Sequence, residues 1–172
     1  MTVLLHQVLA ETLAASSLAQ EAILLTVAHG KVMTRGTFVR REVISQYESG
    51  VIPMLNADSI LMIPEAAAPA SERDDVVHVD GRLWHVRSAL DDGAGSLKLQ
   101  LQEAQTVKAS VAGMAISVVI VGDPAREGEL LVLATAGALR PGDEVSLNRD
   151  AFAAGAPQPW TAGYAATVLT PA

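Results

Sequence analysis

Residues 75–103, DVVHVDGRLWHVRSALDDGAGSLKLQLQE, constrain the fold more tightly than any other stretch of the chain. A two-residue hairpin loop needs positive φ at both central positions, and Asp80-Gly81 supplies them at low cost. Such a loop predicts the register on either side of it: Val79 opposite Arg82, His78 opposite Leu83, Val77 opposite Trp84. Farther on, Leu97, Leu99 and Leu101 alternate with Lys98, Gln100 and Gln102, the period-2 pattern of a strand buried on one face. Between these runs, Asp91-Asp92-Gly93-Ala94-Gly95 has the Asx and glycine residues of a second turn. The segment therefore predicts a three-stranded antiparallel meander.

Around it, 172 residues suffice for one large or two small domains. Aromatic residues are only 3% of the chain, so its core must be built from Val, Leu, Ile and Ala. A net charge of −7, with 12 Lys and Arg spread along the sequence, argues against a basic nucleic-acid face. The absence of cysteine excludes disulfides, thiolate zinc sites and cysteine nucleophiles. The apolar N-terminus lacks a basic flank and is interrupted by His6, Gln7 and Glu11, which argues against a signal peptide. No apolar run reaches the ~18–20 residues of a membrane-spanning helix. A soluble protein, cytoplasmic at synthesis and without a membrane partner, is expected.

Thr2 is positioned to cap a helix over residues 1–20, with Leu5, Val8, Leu9, Leu13 and Leu18 along one side. Its stripe would pack on the chain's own sheet or dock on a neighbouring subunit. Strand character then runs through Ala22–Val27, returns over Val32–Val39 after a His29-Gly30-Lys31 turn, and recurs at Ser59–Ile63. Gly36, inside the returning strand, signals a bulge or a close backbone approach. Between these strands lies a long polar connection from Arg40 to Asp58, punctuated by Gly50 and Pro53. Past Glu103 come apolar runs at Met114–Val121, Glu129–Leu133, Val145–Leu147 and Tyr164–Leu169, with a loop at Gly155–Pro159. The expected class is mainly β: a small antiparallel sandwich or barrel over 21–104, preceded by a helix. An additional C-terminal β unit over 105–172 either forms its own domain or extends the first sheet.

Taken in order, these segments resemble the lambda-type head–tail joining (tail attachment, or head completion) proteins of tailed phages. The resemblance is carried by AILLTVAHGKVMTRGTFVRR, by the Ser59–Ile63 strand, and by Asp75, Val77, Val79, Gly81, Trp84, Val86, Asp92, Gly93, Gly95, Leu97 and Leu99. It covers residues 20–103 and departs from the family's short members in the C-terminal unit. It implies a virion structural protein of the neck, assembled in the bacterial host cytoplasm. Such a protein forms a homo-oligomeric ring, commonly a hexamer, between a portal-side adaptor and the tail terminator or tail tube. Packaged DNA passes through the lumen without sequence-specific binding.

Within the hairpin, Val77, Val79, Trp84 and Val86 share a face suited to a core. Val76, His78, Leu83, His85 and Arg87 share the other, which is mixed and suited to an interface. His78 and His85 are diagonal neighbours there, but no third ligand stands at a supporting spacing, so neither a metal nor a cofactor is assigned. Asp74-Asp75 and Asp91-Asp92 are adjacent carboxylates that point to opposite faces or serve turns. No nucleophile elbow, phosphate loop or HExxH is present, and no catalytic residue is assigned. In the long connection, Arg40, Arg41 and Tyr47 join charge to Val43 and Ile44 in an interface-like composition. Together with His78, His85 and Arg87 they are the candidate contact residues. Two other readings stay open: a tail terminator or tail completion protein, and a cellular two-domain β-barrel binding module or small hydrolase.

Overall fold

The structure, a computed structural model, describes residues 18–40, 59–65, 73–91, 93, 95–122, 128–161 and 163–172. Six strands form the first body: β1 (Ala19–Thr26), β2 (Gly30–Val39), β3 (Ser59–Pro64), β4 (Val76–Val79), β5 (Arg82–Asp91) and β6 (Ser96–Glu103). They close into an antiparallel barrel in the order β1-β2-β3-β6-β5-β4. The expected hairpin register holds at all three pairs, with Asp80 and Gly81 at φ of 53° and 69°. The Gly93 N–H donates to the Asp91 carboxylate at 2.7 Å, which secures the second turn. One feature not anticipated is a register shift between Val86 and Ser88, so that Arg87 bulges from β5.

Alternation decides what fills this barrel. Ala22, Leu24, Leu61, Ile63, Val77, Val79, Val86, Leu99 and Leu101 turn inward and are fully buried, and Trp84 closes the core against Phe38 with ring centroids 5.4 Å apart. The Trp84 indole N–H is satisfied by the Val79 carbonyl at 3.2 Å. Gly36 turns out to be a close approach rather than a bulge. A Cβ there would stand 2.4 Å from the Met62 carbonyl oxygen and 2.6 Å from Ile63, while the β1–β2 register runs unbroken past it.

The C-terminal unit is a separate sheet and not an extension of the first. It comprises β7 (Val107–Val111), β8 (Met114–Val121), β9 (Leu130–Thr135), β10 (Glu144–Leu147), β11 (Asp150–Ala154), β12 (Gln158–Thr161) and β13 (Tyr164–Pro171). The order is β11-β10-β7-β8-β9-β13-β12, and pairing of β11 with β13 closes six of these strands into a second barrel, leaving β12 on its flank. Val118, Val132, Val145, Leu147, Phe152 and Leu169 fill it. The turn at Arg140-Pro141-Gly142-Asp143 is clasped by its own ends, with the Arg140 N–H on the Asp143 carboxylate at 2.8 Å.

Two expectations need correction. The Gly155–Pro159 loop is shorter than expected, because β12 begins at Gln158 and contains Pro159. A proline survives there because an edge strand leaves its missing N–H without consequence. No α-helix occurs among the described residues. Of the helix expected over 1–20, residues 1–17 lie outside the described residues, whereas Ala19 and Gln20 are strand, drawn into pairing with Thr37 and Gly36.

Candidate docking surfaces

Several strands are apolar on both faces, and the reason is the seam between the barrels. On β1, Ile23 and Leu25 point away from the first barrel's core, as do Val76 on β4 and Leu83 on β5. They pack on the outer face of the second barrel, made by Val119 and Val121 of β8, Leu131 and Leu133 of β9, Trp160 of β12 and Ala166 of β13. Val76 is 0% and Trp160 1% exposed, so this third cluster is as dry as either barrel core. Burying that much aliphatic surface, at about 25 cal/mol per Å², makes the seam a main source of cohesion between the units.

Polar contacts fix its register. The Gly122 N–H donates to the Asp74 carbonyl at 2.9 Å, and His85 Nε2 lies 2.9 Å from the Ile120 carbonyl. Gly122 has φ of +82°, and a Cβ on it would meet Val27 at 2.6 Å, so the barrels touch closely at this point. Asp75 is buried nearby and accepts the Val27 N–H at 3.3 Å. Between Pro159 and Thr161 the β12–β13 register slips by one residue, a bulge that turns Trp160 into the seam.

His78 and His85 both belong to this seam. His85 Nε2 lies 2.9 Å from the Ile120 carbonyl; since a carbonyl only accepts, this nitrogen carries the proton. His78 meets the Trp160 ring edge-on, with centroids 6.3 Å apart, and burial holds its imidazole below the ordinary value. The Trp160 Nε1–H is buried without a hydrogen-bond partner. Among the described residues no three His, Asp or Glu side chains are placed to hold a metal. Arg87, exposed at its bulge, donates from Nε to the Gln102 side chain. It lines a cleft of about 430 Å³ between the barrels together with His85, Gln102, Gln105, Ile120 and Asn148.

The remaining candidates sit elsewhere. Arg40 is exposed where β2 ends; Arg41 and Tyr47 lie outside the described residues. Pairing of Ala19 with Thr37 and of Val39 with Ile60 puts Leu18, Arg40 and the start of β3 at one end of the first barrel. The long connection therefore leaves and re-enters at the end where the described chain begins. Trp160, Ile23 and Leu25 were not anticipated as contact residues. For Ile23 and Leu25 the signal was available in AILLTV, and for their partners in VVIV and LLVLA, runs too continuous for strands wetted on one side; QPWT gave none for Trp160.

A model of the family described as Phage Head-Tail Attachment protein matches residues 1–101. That span contains the first barrel except Gln102 and Glu103 at the end of β6, and none of the second. No curated protein matches the chain.

Proposed function

Because this chain belongs to the phage head–tail attachment protein family, a class of viral structural proteins, we propose that it is a neck protein. It joins the DNA-filled head to the tail by assembling into a ring and docking on both neighbours. The observation that carries this reading is the coincidence of the family match with a closed barrel. The role is mechanical, without catalysis: the chain supplies surfaces, and affinity comes from many identical contacts repeated around a ring. Its partners are further copies of itself, a portal-side adaptor on the head and a terminator or tube protein on the tail. Its place is the virion neck, reached after assembly in the host cytoplasm. DNA traverses the lumen without sequence-specific contact, and a net charge of −7 favours passage over retention. Arg40, Arg41 and Tyr47 are the residues proposed to meet a neighbour.

Removing the gene product from the producing phage or prophage tests the proposal. Electron microscopy should show DNA-filled heads and finished tails that fail to join, and adding purified protein should restore joined particles. Normal particles without the protein would overturn it.

A further inference from the structure

The seam occupies one side of the first barrel and thereby limits where a second copy can bind. Ile23 and Leu25 of β1, Val76 of β4 and Leu83 of β5 already face the second barrel. What stays open is the face formed by β2, β3, β6 and the second half of β5. Two register rows cross it: Thr37, Met62, Lys98 and Leu90, then Val39, Ile60, Gln100 and Ser88. Next to them on β2 stand Arg35, Met33 and Lys31.

This face is unusual for the molecule in two respects. Seven large apolar side chains are exposed among the described residues, and three of them lie here: Met33 at 60%, Leu90 at 50% and Val39 at 46%. Half-buried Ile60 and Met62 continue the apolar surface between them. Its charged groups are Lys31, Arg35 and Lys98, although acidic residues outnumber basic ones 19 to 12 in the chain. Glu21, opposite Arg35 on β1, marks the border toward the seam.

We propose that this face is the surface on which a second copy of the chain docks head-to-tail. The inference rests on the ring reading above and deepens it by naming the contact. Nucleic acid is a poor fit because the centre of the face is aliphatic and holds no aromatic platform. A self-complementary pairing through a two-fold axis would set a face whose charged groups, Lys31, Arg35 and Lys98, are all basic against an identical basic face. Head-to-tail docking instead meets the rest of the molecule, which carries all 19 acidic residues against the basic ones left over. Heterologous contacts of that kind close into rings, whereas the two-fold pairing stops at a dimer.

The test places a photo-activated cross-linking residue at Leu90 of the full-length chain, in assembled particles, with a second at Met33. The expected product is an adduct at twice the 17.9 kDa mass of the chain. Lys98→Glu should lower the yield of that adduct about tenfold, and raised salt should weaken assembly in the wild type. An adduct only to a different virion protein would overturn the choice of a second copy as occupant. If neither position cross-links while intact necks contain several copies, the face is wrong and the ring reading stands. A neck holding a single copy would overturn both.

Discussion

His85 donates from Nε2 to the Ile120 carbonyl at 2.9 Å, tying β5 of the first barrel to β8 of the second. Replacing His85 by Ala strands a carbonyl at the edge of a dry seam, at a cost of about 1–2 kcal/mol. Urea denaturation of the intact protein should show this loss, and His85→Gln, which keeps a donor, should recover part of it. Equal stability of the wild type and His85→Ala would mean that the bond contributes nothing.

Trp160 separates packing from polarity. Trp160→Ala empties a buried site in the seam and should destabilise by roughly 3–5 kcal/mol. Trp160→Phe gives up some contact area but also removes an indole N–H that has no partner, so its loss should stay near ~1 kcal/mol. Calorimetry of the two variants checks the ordering.

Gly36 and Gly81 are required for different reasons. At Gly36 a methyl group strikes the Met62 carbonyl, so Gly36→Ala should cost about 1–3 kcal/mol and shift the β2–β3 pairing. At Gly81 the surroundings are open and only φ of +69° is demanding. Gly81→Asn should therefore be tolerated better than Gly81→Ala, since Asn accepts the left-handed region. Thermal midpoints of the three variants decide it.

Burial depresses the His78 pKa below its ordinary value of 6.5, so the folded protein favours the neutral ring. The sign follows from linkage. The stability associated with neutral His78 is complete above 6.5 and is lost as pH falls through the lower folded value. Its neighbours across β1, β5 and β12 are Ile23, Leu83 and Trp160, none of which can counter a new charge. NMR titration of the His78 ring and the Trp160 indole proton should report one shared midpoint below 6.5. The indole shift should vanish in His78→Gln.

How much of this was legible in the sequence depended on what made each strand. The β4–β5 hairpin is specified locally, by Asp80-Gly81 and by alternation, and its pairs follow directly. In contrast, β7 (VKASV), β11 (DAFAA) and β12 (QPWT) are short, alanine-rich or proline-containing. Their strand state comes from neighbours already in the sheet, which no window of sequence contains. The mixed face of Val76, His78, Leu83 and His85 reads as a contact surface, and within this chain it lies against the second barrel. Its occupant was not legible, because the strands of the second barrel that cover it, from Val119 onward, lie far beyond any local window around the face.

Barrel closure bears on how such a protein meets its neighbours. An open sheet presents unpaired backbone to every neighbour it meets. In the first barrel each of the six described strands has a neighbour on both sides, β1 pairing with both β2 and β4. Flanking the second barrel, the four-residue β12 is an edge strand among the described residues, and its Pro159 cannot donate. Closure of this kind leaves little backbone for another chain to add a strand to, so a neighbour meets mainly side chains.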